Sequence, residues 1–117
     1  MSIGDGRPAI RYCVFCEIVA KREPGTIRYE DDDVVVFDNV LRWVPLMLLV
    51  VPKTHMTQTE LWSSPVLAKL GPVAIEMGKQ FCPNGFRVLS NFGREAMQSQ
   101  EHGHLHVIGG THLGPYA

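Results

Sequence analysis

The chain has 117 residues, 45% of them hydrophobic, and a formal net charge of −1. That length fits one compact domain with a real core, and it is short enough that pairing with a second copy would bury useful surface. The 11 basic residues are scattered and matched by 12 acidic ones, which excludes a DNA or RNA backbone binder but not a nucleotide ligand, which needs only a few donors.

Residues 1–12, with Gly4, Gly6 and Pro8, read as a flexible arm ahead of one domain over 13–117. The arm lacks the apolar segment of a signal peptide, and no run is long enough to span a bilayer, so a cytoplasmic location with no membrane partner is expected. Residues 13–21 suit a short helix with Phe15, Ile18 and Val19 on one side, ended by Pro24-Gly25. Residues 26–30 and 34–38 read as strands around the acidic turn at 30–33. Residues 46–51, apolar and bounded by Pro45 and Pro52, read as a buried strand. Ser63-Ser64-Pro65 reads as a helix start, and Val66, Leu70, Val73, Met77 and Phe81 recur at helical spacing. Gly71-Pro72 inside that run predicts a kink or a displaced start. Pro83-Asn84-Gly85 is a turn, 86–90 a strand, 92–101 irregular, and 102–108 a last strand stopped by Gly109-Gly110. The expectation is an α+β domain built on an antiparallel sheet with two helices.

On a strand, alternate side chains share a face, so His102, His104 and His106 would form a row while Leu105 and Val107 point into a core. Each imidazole in such a row can be a metal ligand, a nucleophile or a donor to an anion. A solvated histidine face and a plain metal site are the competing readings of the row by itself.

The flanking residues decide. His102-Gly103-His104-Leu105-His106-Val107-Ile108 resembles the histidine-triad motif. Cys13-Val14-Phe15-Cys16, Phe37-Asp38-Asn39, Val51-Pro52-Lys53-Thr54-His55, Ser90-Asn91 and Gln98-Ser99 follow the order and approximate spacing of the Hint-type branch of that family. The resemblance covers roughly residues 13–110. It implies a five-stranded antiparallel sheet, extended across a homodimer with the 66–81 helix in the interface. It also implies a hydrolase or nucleotidyl transferase that cleaves nucleoside 5′-monophosphate derivatives, such as adenosine phosphoramidates or acyl adenylates, at the α-phosphorus, with a purine nucleotide preferred.

The same resemblance implies the roles of residues. His104 would be the nucleophile, forming a nucleotidyl-histidine intermediate. A neutral imidazole is nucleophilic near pH 7 and makes a labile phosphoramidate. His106 would stabilise developing charge on the phosphate, with Ser99 as a third catalytic group and Gln98 and Asn91 reaching the phosphate region. Phe15, Ile18 and Phe37 would line the base pocket, although core packing explains them equally well. Asn39 falls where the family usually carries an acidic ribose-binding residue. An amide keeps hydrogen bonds to ribose without the charge, and Asp38 beside it is a second candidate. Gly103 replaces the usual apolar residue and loosens the strand locally. Met47 stands where many relatives have a further histidine, so a proton relay there should be absent.

Cys13-x-x-Cys16 is the sole C-x-x-C pair, and three cysteines make a poor disulfide framework, in keeping with a reducing compartment. Structural zinc wants four tetrahedral ligands. The resemblance implies that His55 and His102 complete the set. Otherwise Cys13 and Cys16 are small buried residues and His55 a turn residue. Redox use fits less well without a thioredoxin-like context. Cys82 reads as packing at a helix end. His112 reads as solvent-facing, on a tail able to reach a neighbouring subunit. Two rival functions remain from the sequence: a nucleotide-binding regulatory or scaffold protein with little turnover, and a structural zinc-binding protein.

Overall fold

A computed structural model describes residues 12–115. The expected flexible arm lies outside the described residues except for exposed Tyr12, whose hydroxyl donates to Glu23 Oε2 at 3.0 Å. Five strands form one antiparallel sheet: β1 (Ile27–Glu30), β2 (Val34–Asp38), β3 (Leu46–Pro52), β4 (Phe86–Leu89) and β5 (Leu105–Gly109), in the order β1-β2-β3-β5-β4. β1 and β4 are therefore the edges, and the most apolar strands, β2 and β3, lie inside.

Register fixes which side chains share a face. Phe37 pairs with Leu49, Leu49 with His106, and His106 with Leu89, giving one row across the sheet. One residue along, Val36, Val50, Leu105, Leu48 and Val107 point to the opposite face and pack with Leu70, Ala74 and Met77 of α3 (Leu67–Phe81). The row's own face carries Val35, Phe37, Leu49 and Val51, covered by Phe15 and Ile18 of α1 (Val14–Val19). Helices on both faces explain why β2 and β3 are continuously apolar rather than alternating. Each fully buried valine or leucine contributes roughly 1.5–3 kcal/mol of transfer free energy.

Three expectations need correction. The described residues hold three α-helices, not two, because α2 (Gln58–Trp62) occupies a stretch that carries no apolar periodicity. It is nucleated by a capping box: Thr57 Oγ1 accepts from the Glu60 amide at 3.1 Å, and Glu60 Oε1 accepts from the Thr57 amide at 2.8 Å. The long helix starts at Leu67 rather than beside Pro65, and it runs on through exposed Pro72. The amide that Pro72 lacks would have bonded the carbonyl of exposed Ala68, so no buried acceptor is stranded.

The histidine strand is also shorter than expected. Its ladder begins at Leu105, so His102 and His104 lie on the segment that feeds it. Their side chains keep the expected common side nonetheless. Phe15 sits edge-on to both rings, 5.9 Å from His102 and 5.2 Å from His104 between centroids.

Candidate active site and metal centre

The segment 102–104 is held by α2 and the turn before it, not by a strand partner. The Gly103 amide donates to the Met56 carbonyl at 2.7 Å, and the His104 amide to Gln58 Oε1 at 2.7 Å. Ser90 Oγ donates to the His104 carbonyl at 3.0 Å. Gly103 makes this docking possible: a Cβ there would lie 2.9 Å from both Leu61 Cβ and the Thr57 carbonyl.

His104 is 4% exposed, and its Nδ1 lies 2.7 Å from the His102 carbonyl. A carbonyl only accepts, so Nδ1–H donates and Nε2 keeps its lone pair. Burial lowers the His104 pKa against the pull of that carbonyl, which holds the ring neutral. The His106 ring lies 4.9 Å from the His104 ring, and burial, followed by repulsion from His104, pushes its pKa down to about 4. The pair is thus a neutral nucleophile beside a second neutral imidazole, on a face walled by Phe15 and Phe37, whose ring centroids are 5.3 Å apart.

His102 is fully buried on the same side, with its ring directed at the cysteines. Its Nε2–H donates to the Pro52 carbonyl at 2.8 Å, which leaves Nδ1 facing the cysteines. Nδ1 lies 3.5 Å from Cys13 Sγ, 3.4 Å from Cys16 Sγ and 3.2 Å from His55 Nδ1, and Cys16 Sγ is 3.2 Å from His55 Nδ1. Zinc bonds of ordinary length set tetrahedral edges at about 3.6 Å between sulfur and nitrogen and about 3.3 Å between nitrogens. The four donor atoms, all within 4.8 Å of one another, fit a structural zinc ion. The Pro52 carbonyl supplies the outer hydrogen bond that ligating histidines usually make. Without an ion, burial and Cys13 push the Cys16 thiol up to about 11, and burial pushes His102 down to about 4. A bound cation would favour the thiolates.

The remaining sequence candidates separate. Phe15, Ile18 and Phe37 come together on the triad's face, almost fully buried. Asn39 follows Phe37 by two residues; its amide donates to the Met47 carbonyl at 2.8 Å and its Oδ1 accepts from the Leu41 amide at 3.0 Å. Asp38 points to the α3 side. Arg28 clamps it with bonds of 2.8 and 2.9 Å, Arg42 adds one of 3.1 Å, and the Arg28 guanidinium lies 5.2 Å from the Phe81 ring. The sheet therefore separates Asp38 from His104. Gln98 braces its own loop, accepting from the Gly93 amide at 2.7 Å and donating to the Gln100 carbonyl at 3.0 Å. Exposed Ser99 lines a cleft of about 580 Å³ with Cys13, Cys16, His55 and Glu101. Asn91 offers its carbonyl to Gln58 Nε2 at 3.1 Å. Cys82 is buried and packs against Gly109, and His112 is exposed. Gln58 is the residue that sequence reading missed, and Ser90, noted there in the Ser90-Asn91 pair, is given no role by it. The Thr57-x-x-Glu60 spacing was the available signal for the helix that delivers Gln58.

The sequence pattern of the HIT domain matches residues 20–113, and the chain belongs to this histidine triad family. It is 34% identical over 101 residues to Protein HitA of Neisseria gonorrhoeae, covering 83% of this chain and 94% of that protein. It is 33% identical over 106 residues to a 14 kDa zinc-binding protein of Brassica juncea, covering 86% and 94%. Adenylylsulfatase HINT1 of Arabidopsis thaliana is 32% identical over 106 residues, covering 86% and 72%. Among solved structures, a HIT family hydrolase from Clostridium thermocellum superposes with a TM-score of 0.83 at 28% identity, covering 92% and 98%. A zinc-bound histidine triad protein from Mycobacterium smegmatis does so with 0.72 at 29% identity, covering 82% and 73%. The chain thus has the fold of the HIT hydrolases. No described helix is long and apolar enough to cross a membrane.

Proposed function

We propose that the protein cleaves nucleoside 5′-monophosphate derivatives, purine ones by preference, at the α-phosphorus through a covalent intermediate on His104. One observation carries this reading: the hydrogen bond from His104 Nδ1–H to the His102 carbonyl, which leaves a neutral, bare Nε2 beside His106. Nε2 forms a bond to the α-phosphorus as the bond to the leaving group breaks, and the leaving group departs with a proton taken from solvent, which the attacking water of the second step returns. Water then attacks the same phosphorus, frees His104 and yields the nucleoside monophosphate. His106 donates to the non-bridging oxygens as their charge grows. Ser99, Gln98 and Asn91 supply the loop that meets the leaving group and phosphate. The base lies against Phe15, Ile18 and Phe37, and Asn39 rather than Asp38 takes the ribose, because Arg28 and Arg42 hold Asp38 on the α3 side.

Phosphoramidates fit a nitrogen leaving group that can accept a proton. The Arabidopsis relative is an adenylylsulfatase, which makes adenylyl sulfate a second substrate to try. Cys13, Cys16, His55 and His102 hold the zinc, which ties α1 to the catalytic segment and takes no part in the chemistry. A homodimer through the open edge of β4 and the flank of α3 and a cytoplasmic location complete the proposal. Release of AMP from adenosine 5′-phosphoramidate or adenylyl sulfate, abolished in His104→Ala, is the test. Nucleotide binding without release, unchanged in His104→Ala, would instead mark a regulatory binding protein. Sedimentation at micromolar concentration reads the dimer.

A further inference from the structure

We infer that Gln58 is a positioning residue: its side-chain amide clamps the peptide unit of His104 to the loop that follows β4, and so sets where the nucleophile stands. The inference rests on the reaction proposed above. His104 lies one residue before the β5 ladder, so neither its amide nor its carbonyl is fixed by sheet hydrogen bonding. Side chains do that work. Gln58 Oε1 accepts from the His104 amide at 2.7 Å, and Gln58 Nε2 donates to the Asn91 carbonyl at 3.1 Å. One partner is an amide and the other a carbonyl, so the orientation of the Gln58 amide is fixed by chemistry. Ser90 Oγ holds the His104 carbonyl at 3.0 Å and in turn accepts from Trp62 Nε1 at 3.2 Å, so α2 grips this peptide from both sides.

Gln58 is 2% exposed, which makes it the one buried polar residue besides His102 and His104 among the described residues. Burying an amide is costly unless both ends are paired, and both ends go to the site. It can reach there because Gly103 has no Cβ to hold α2 away; a Cβ there would lie 2.9 Å from Leu61 Cβ and from the Thr57 carbonyl. The capped first turn of α2, the glycine inside the triad and the nucleophile's backbone thus form one mechanical unit. The same amide links the nucleophile to residues 91–99, the loop that would meet the leaving group.

Gln58→Met removes both hydrogen bonds at similar volume, and Gln58→Glu keeps an oxygen for the His104 amide. In single-turnover assays with adenosine 5′-phosphoramidate, Gln58→Met should slow formation of the nucleotidyl-enzyme by about 10- to 100-fold, with KM changed less than about 3-fold. Gln58→Glu should recover part of that loss, and both variants should keep the wild-type metal content. Amide hydrogen exchange gives a readout independent of turnover: the His104 amide should exchange at least about 10-fold faster in Gln58→Met, while core amides of β3 keep their protection. Wild-type rates in Gln58→Met, or Gln58→Glu no better than Gln58→Met, would overturn the inference. A wild-type protein with no turnover would sink the proposed reaction instead. The clamp would then stand or fall on the His104 amide alone, unchanged exchange overturning it.

Discussion

One hydrogen bond joins His102 to His104: the imidazole Nδ1–H of His104 donates to the backbone carbonyl of His102 at 2.7 Å. The side chain of His102 meanwhile faces Cys13, Cys16 and His55. A single residue thus offers its ring to the metal centre and its backbone to the nucleophile.

Zinc should be present at one equivalent per chain and be lost in Cys16→Ala. The variant should melt at least about 5 °C lower, because metal binding free energy adds to folding free energy. Metal analysis beside a thermal melt reads both, and a metal-free wild type that melts like the zinc-loaded protein would refute a structural role.

His104→Ala should lower AMP release by a factor on the order of 10³ or more, with no covalent nucleotidyl adduct trapped on the protein. His106→Asn should cost about 100-fold while adduct still forms, since it removes charge stabilisation and not the nucleophile. Intact-mass spectrometry after rapid quenching distinguishes the two, and an adduct in His104→Ala would move the nucleophile elsewhere.

Acid should destabilise the fold through His106. Burial lowers its folded pKa to about 4, against about 6.5 in an unfolded chain, so the unfolded state takes up its proton first. The stabilisation is therefore complete above about pH 6.5 and is lost progressively as pH falls toward 4. Urea midpoints measured at intervals from neutral to acid should fall over this window, less steeply in His106→Asn. Turnover should vary little from about pH 8 to about pH 6, since His106 stays neutral there.

Two glycines should respond with opposite signs. Gly103→Ala places a Cβ 2.9 Å from a backbone carbonyl and from Leu61 Cβ, and it should cost about 1–3 kcal/mol and much of the activity. Gly71→Ala, inside α3 with nothing within 4 Å of the new atom, should stabilise by about 0.5–1 kcal/mol. Denaturant titration of both variants is the check, and equal effects would mean that the space around Gly103 is not limiting.

The chain's own pattern of residues determined a good deal. Alternation over His102–Ile108, the apolar runs of β2 and β3 and the spacing of Val66 to Phe81 are local properties, because strand and helix periods depend only on neighbours along the chain. They placed β2, β3, β5 and the long helix, the turns at 30–33 and 83–85 placed β1 and β4, and the histidine, cysteine and Val51–His55 motifs supplied the family resemblance. Tertiary structure decided the rest. Asp38 and Asn39 are adjacent in sequence, but Arg28 holds the first on the α3 side, while the second, one residue past β2, turns its Oδ1 onto the Leu41 amide. His102 and His104 share a side without sharing a ladder, since Met56 and Gln58, some 46 residues earlier, take the backbone groups that a strand partner would have taken. A hydrogen bond at that separation leaves no periodic trace in sequence. It exists only because the sheet, α2 and the small volume of Gly103 bring the two segments together.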